Sequence, residues 1–158
     1  HGLIHFQEYW IGAKGKIDIR EVVRVFDVPP VATGDVLRTI EKSDAVVIGP
    51  SNPITSILPI LSCDGMKAAL KDTFVVAVSP FIGHAPVSGP AGALMEAAGY
   101  EPSAIGTFNC YGGLPDIFVQ DIRDEVGVSH SVRFDTLMTD EDRSIAFARD
   151  ILSLIDER

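Results

Sequence analysis

The chain has 158 residues, 46% of them hydrophobic, which is enough for one domain with a real core and too apolar for a disordered chain. Lys and Arg total 13 against 22 Asp and Glu, and the resulting charge of −9 disfavours non-specific contact with nucleic-acid phosphates. No apolar run approaches the roughly 20 residues of a membrane-spanning helix and no charged-then-apolar leader opens the sequence, so a cytoplasmic protein is expected.

The chain opens with His1 rather than Met, and the expectation is a fragment or processed chain with sequence missing ahead of it. The segment "GLIHFQEYW" is dense in aromatic and polar side chains and is expected to end a helical excursion over residues 1–15, ahead of an α/β core over 16–158. "REVVRVFDV" (Arg20 to Val28) reads as a strand. "TGDVLRTIEKSD" places Val36, Leu37 and Ile40 at helical spacing, with Thr33 or Asp35 near the start. "AVVIG" lacks polar alternation, as a parallel strand covered on both faces should. "PITSILPILS" and "GMKAALKD" read as short helices, and "TFVVAVS" as a second buried strand. "GPAGALMEAAGYE" reads as a helix opened by Pro at its first position. "PSAIGTFNC" reads as a short helix, and "DIFVQD" and "SVRFDT" as strands. The C-terminal "DEDRSIAFARDILSLIDE" reads as an amphipathic helix with Ile145, Ala148, Ile151 and Leu154 along one face. Alternation of strands and helices predicts an α/β, Rossmann-like fold with a mostly parallel, doubly wound sheet. Cys63 and Cys110 lack metal-type spacing and are expected to be free, buried thiols.

In open α/β sheets, ligands bind beyond the carboxyl ends of the strands. Two buried strands end in unusual loops there: Gly49-Pro50-Ser51-Asn52-Pro53, and Ser79-Pro80-Phe81-Ile82-Gly83-His84 followed by Gly89-Pro90. Gly and Pro fix the backbone and let it approach a ligand closely. Ser51, Asn52, Ser56 and Ser79 offer neutral donors and acceptors, and amides at the following helix starts favour an anion. Each loop therefore suits a phosphorylated ligand or a nucleobase, although Ser, Asn and Pro also occupy ordinary turns and caps for local reasons. His5, Gln7 and Glu8 stand beside Tyr9 and Trp10 in a cluster that suits an aromatic core face, a dimer contact or a site equally. Asp64, Asp116 and Asp121 are carboxylates that could share Mg²⁺ with ligand phosphates. His84 could act as acid, base or phosphate donor, whereas His130 sits in a polar loop and is expected to be inert. No nucleophile triad can be argued from spacing, and both the P-loop and the dinucleotide glycine fingerprint are missing.

Four segments in order, "HFQEYWI" (His5 to Ile11), "IGPSNPITSILPIL" (Ile48 to Leu61), "VVAVSPFIG" (Val75 to Gly83) and "SGPAGALMEAAGYEPSA" (Ser88 to Ala104), resemble the 2-phospho-L-lactate transferase family of coenzyme F-420 biosynthesis. The resemblance covers most of residues 3–121 and implies the C-terminal part of a single Rossmann-like transferase domain. It implies transfer of a phospholactyl or phosphoenolpyruvyl-type group from a guanosine-diphosphate-type donor to the hydroxyl of the deazaflavin Fo, with release of GMP. Mg²⁺ as cofactor and a homodimer are implied with it. Such transfer asks for positioning more than for a protein nucleophile. Residues carried over by matching segments are Gly49, Pro50, Ser51, Asn52 and Pro53 for the donor loop, Ser79 and Pro80 for the second loop, and His5, Gln7 and Glu8 near the cleft or a subunit contact. The family's usual Gly-Pro-Ala-Asp-Lys is Gly89-Pro90-Ala91-Gly92-Ala93 here, and its later Tyr-x-Asp is Tyr111-Gly112-Gly113. The family's N-terminal glycine-rich loop has no counterpart in these residues, so the isolated piece is expected to be an inactive half-site. Rival readings are a non-catalytic nucleotide or nucleotide-sugar binding regulator, gluconeogenesis-factor-like, and a degenerate structural paralogue.

Overall fold

The computed structural model describes residues 2–87 and 89–158. Ser88, first residue of the glycine-proline segment quoted above, and His1 lie outside the described residues. Four strands, β1 (Val46–Ile48), β2 (Val75–Val78), β5 (Ile117–Asp121) and β6 (Ser131–Phe134), form a parallel sheet in the order β1-β2-β5-β6. A short antiparallel hairpin, β3 (Phe81–Ile82) with β4 (Ala85–Pro86), leaves the end of β2. The helices are α1 (Gly34–Glu41), α2 (Leu58–Leu61), α3 (Met66–Lys71), α4 (Ala91–Ala97), α5 (Ala104–Cys110) and α6 (Glu141–Asp156). Two π-helical turns, Glu8–Gly12 and Pro53–Ile57, complete the set, the second running straight into α2.

The unbroken apolar run of β2 is explained by burial on both faces. Val75 and Ala77 join a core with Ile54, Leu61, Leu70, Met95 and Phe118, while Val76 and Val78 meet Val119, Phe147 and Ile151 of α6. The architecture is the expected mostly parallel α/β, Rossmann-like fold. Thr33 caps α1, accepting from the Val36 N–H at 3.4 Å. Cys63 and Cys110 are free, the second of them buried.

Four expectations are corrected. β1 is an edge strand and is not covered on both faces, since Val47 is 48% exposed. Residues 20–28 form no strand and have no β-partner among the described residues. Ile19 and Val22 pack on the core there, while Val25, Phe26 and Val28 are exposed. In α6 the inward face is Phe147, Ile151, Leu154 and Ile155, whereas Ile145 and Ala148 are exposed. The bulkier Phe147 turns the helix so that its own stripe meets β2 and β5. Pro90 stands at the N-cap of α4 rather than inside its first turn.

Candidate functional site

The carboxyl ends of β1, β2 and β6 open on one cleft of about 380 Å³, within the roughly 300–1,000 Å³ usual for small-molecule sites. The β1 end contributes Pro50, Ser51, Asn52 and Thr55; the β2 end contributes Ser79 and Pro80. Val87, Gly89, Pro90 and Ala91 form the wall that follows the hairpin, and Thr136, Leu137 and Met138 form the wall beyond β6. Phe6 and Trp10 close the cleft from the N-terminal turn. None of these lining residues carries a charge.

The Pro-Ser-Asn-Pro loop is built around Asn52. Its Oδ1 accepts from the N–H of Ile54 at 3.0 Å and of Thr55 at 3.2 Å, and its carbonyl accepts from Ser56 and Ile57. Pro53 fixes the backbone and brings no N–H of its own. The amides that could have faced an anion are thus taken up by Asn52, contrary to the expectation of a free helix start. What Asn52 still offers the cleft is its Nδ2 amide, a donor. Ser79 is similarly committed: its hydroxyl donates to the Phe81 carbonyl at 3.2 Å and accepts from the Phe81 N–H at 3.1 Å, turning the chain from β2 into β3.

The N-terminal cluster divides by side-chain type. Tyr9 is buried and tilts against Phe6, ring centroids 6.3 Å apart, while Phe6 and Trp10 face the cleft. Gly15 leaves room for the indole. A Cβ there would lie 3.1 Å from Trp10 Cζ3, and its φ of +68° is one that glycine adopts freely. His5, Gln7 and Glu8 are exposed and do not line the cleft; His5 Nδ1 accepts from the Gln7 N–H at 3.2 Å.

Of the residues singled out from sequence, the structure therefore brings Pro50, Ser51, Asn52, Ser79 and Pro80 together. Gly49, Pro53 and Ser56 support the loop without lining the cleft. Sequence reasoning missed Thr55, Phe6, Val87 and the Thr136–Met138 wall as lining residues. The strand-end rule, applied to "SVRFDT" as it was to the first two strands, would have flagged Thr136.

The carboxylates do not converge. Asp64 is exposed on the loop bridged to Val31. Asp116 accepts from the Val75 N–H at 2.7 Å, at the amino end of β2 and away from the cleft. Asp121 is fully buried and bonded to Arg123 and Thr136. No group of three His, Cys, Asp or Glu suited to a metal occurs among the described residues. These residues do not fit a Mg²⁺ site. His84 is exposed, its Nδ1 3.7 Å from Glu101 Oε1. His130 is exposed in a left-handed turn, φ +56°.

A second cavity of about 320 Å³ lies near the amino ends of β2 and β5, between Lys67, Lys71, Gly112, Gly113 and Asp116. Beside it, burial pushes the Cys110 thiol up to about 11, countered in part by Arg24 and Lys67, and burial likewise raises the Tyr111 phenol.

The comparisons with known proteins point one way. The 2-phospho-L-lactate transferase CofD family matches residues 1–146. The 2-phospho-L-lactate transferase of Methanocorpusculum labreanum is 51% identical over 154 residues, covering 96% of this chain and 51% of the relative. That of Methanospirillum hungatei is 49% identical over 152 residues, covering 96% and 51%. That of Methanopyrus kandleri is 44% identical over 166 aligned positions, covering 99% and 52%. The chain spans about half the length of the curated relatives it matches.

Proposed function

We propose, for a chain that belongs to the 2-phospho-L-lactate transferase family, that its cleft holds the neutral, ring-bearing part of a substrate in phospholactyl transfer. The whole protein would take that group, or a phosphoenolpyruvyl-type one, from a guanosine-diphosphate-type donor to the hydroxyl of Fo and release GMP. One observation carries this reading. The cleft sits at the carboxyl ends of the parallel strands, its walls are uncharged, and its apolar lining (Phe6, Trp10, Val87, Leu137 and Met138) is interrupted by few polar groups. Such a surface suits a flat ring, a nucleobase or a deazaflavin, with Asn52 Nδ2 as a donor to its edge. A diphosphate finds no cation here. Its partners, and Mg²⁺ if the whole protein requires it, belong to this proposal only as properties of the longer protein, as do a homodimer and a cytoplasmic setting.

Trp10 is the single tryptophan of the chain and lines the cleft, so its emission reports on occupancy directly. Titration with GDP and, separately, with Fo should quench or shift that emission saturably. Emission unchanged by either ligand at millimolar concentration would sink the reading for this chain. The catalytic claim is tested on the longer protein by GMP release with Fo, Mg²⁺ and guanosine-activated phospholactate.

A further inference from the structure

Two acidic residues, Asp121 at the end of β5 and Asp124 in the turn after it, are 0% and 5% exposed, and neither lines the cleft. Asp121 accepts four hydrogen bonds. Its Oδ1 accepts from the Arg123 N–H at 2.9 Å, and its Oδ2 from Arg123 Nη1 at 3.1 Å and from the Thr136 N–H and hydroxyl at 3.0 and 2.8 Å. Asp124 Oδ1 accepts from the Gly83 N–H at 2.6 Å and Oδ2 from Gln120 Nε2 at 3.3 Å. Gln120, itself fully buried, also donates to the Val126 carbonyl at 3.0 Å and accepts from the Val128 N–H at 2.8 Å. A buried polar network with its bonds made fixes geometry more surely than it adds stability.

The two anchored points matter for where they lead. Thr136 starts the Thr136–Met138 wall of the cleft. Gly83 is the turn of the β3–β4 hairpin, whose end runs into the wall at Val87, Gly89, Pro90 and Ala91. The first wall is tied also through Asp135, whose carboxylate accepts from Arg123, Arg143 and the Leu137 N–H, and the hairpin wall through the Val87 N–H to the Pro80 carbonyl.

We propose that Asp121 and Asp124 are positioning residues: one turn at the end of β5 sets both walls of the cleft, Asp121 the Thr136–Met138 wall and Asp124 the hairpin wall. The proposal rests on the cleft being the ligand site. Two consequences follow from the bonding. Asp121 Oδ2 takes three donors and Oδ1 one, so Oδ2 has no lone pair to give a cation and Oδ1 keeps a single one. The Thr136 hydroxyl gives its single proton to Asp121, so any bond it makes to a ligand is as acceptor. That favours a ligand edge carrying an N–H or O–H over a phosphate oxygen.

The test separates local positioning from general stitching. Amide hydrogen exchange is measured on the wild type and on Asp121→Asn, Asp124→Asn, Thr136→Val and Thr136→Ser, with GDP titrations read by Trp10 emission. Asp121→Asn and Thr136→Val should speed exchange at residues 136–138 by about tenfold while residues 82–87 keep theirs. Asp124→Asn should do the reverse. Thr136→Ser, which keeps the hydroxyl, should match the wild type. Asp121→Asn and Asp124→Asn, neither of which lines the cleft, should each weaken GDP by about fivefold or more. If Asp121→Asn fails to fold, Thr136→Val removes the hydroxyl bond to the same carboxylate from the other side and the exchange result still decides. Exchange unchanged, or raised evenly along the chain, overturns the proposal. Walls loosened with GDP affinity intact overturns it as well. Walls loosened as described in a protein that binds no GDP even as wild type supports the clamp and defeats the functional reading instead.

Discussion

Asn52 offers the sharpest separation of fold from function, because its two polar ends serve different masters. Oδ1 caps the turn through Ile54 and Thr55 at 3.0 and 3.2 Å, while Nδ2 is left for the cleft. Asn52→Ala removes the cap and should cost about 1 kcal/mol, with a range of roughly 0.5–2. For a chain of this size that lowers Tm by about 2–4 °C per kcal/mol. Asn52→Asp keeps an acceptor at the same place and adds a negative charge at a helical N-terminus, worth about 0.3–1 kcal/mol in its favour. The stability order should be Asp at least equal to Asn, then Ala. Binding should follow another order. The aspartate variant loses the donor and sets an uncompensated carboxylate in an uncharged cleft, so ligand affinity should fall by about 1–3 kcal/mol, roughly 5- to 150-fold. Thermal melting by circular dichroism and GDP titration by Trp10 emission give both orders. If affinity tracks stability across the three proteins, Asn52 is only a cap and the donor role is wrong.

Other outcomes follow from packing and charge. Gly106→Ala should lose about 3 kcal/mol or more, or fail to fold, since the new Cβ would lie 1.8 Å from the Glu101 carbonyl oxygen, a backbone atom with nowhere to move; a normal melt would refute that. Gly92→Ala, in the first turn of α4 and with Pro102 Cβ as nearest atom at 3.7 Å, should instead gain up to about 0.5 kcal/mol by urea unfolding, because a helical position favours Ala over Gly. The Cys110 thiol, raised from 9.0 to about 11, is held protonated by the fold. Its contribution is intact below the unfolded value and is lost as pH rises from there through about 11, so Cys110→Ala should flatten the alkaline loss of stability between those points. Asp135, whose hydrogen bond and charge pairing with Arg123 hold it below the ordinary 3.8, acts in the opposite sense. Its stabilising effect is present above that value and fades in acid below it, and Asp135→Asn should remove that part of the acid slope.

Much of this was legible in the amino-acid order, for identifiable reasons. "TFVVAVS" could be read as a covered parallel strand because β2 meets a core on each face and tolerates no polar alternation, whereas "AVVIG" gave the right strand but the wrong coverage, its Val47 face lying open at the sheet edge. The run at 20–28 carries the same β-branched signature and forms no strand. Residue preference describes what a backbone would accept, whereas a strand also needs an edge to bond to, and that is a property of distant segments. The α6 face was misassigned because Ile145 and Phe147 both fit a helical stripe, and only the strands underneath select between them. The β3–β4 hairpin, two residues a side, is too short to leave a period.

The site divides along the same line. Residue types at strand ends are local, so Ser51, Asn52, Ser79 and Pro80 could be found. Which of their lone pairs and protons are already committed is not local. Asn52 Oδ1 and the Ser79 hydroxyl turned out to be bonded within their own loops, and the Thr136 hydroxyl to a carboxylate 15 residues earlier in the chain. An uncommitted reading of those loops suggests a phosphate cradle. Once the committed atoms are subtracted, what remains facing the cleft is the Asn52 amide donor, the Ser51 and Thr55 hydroxyls, a Thr136 hydroxyl able only to accept, and aromatic and aliphatic walls. That remainder discriminates between ligand parts: it can hold the edge and faces of a ring, and it has no means of neutralising a diphosphate.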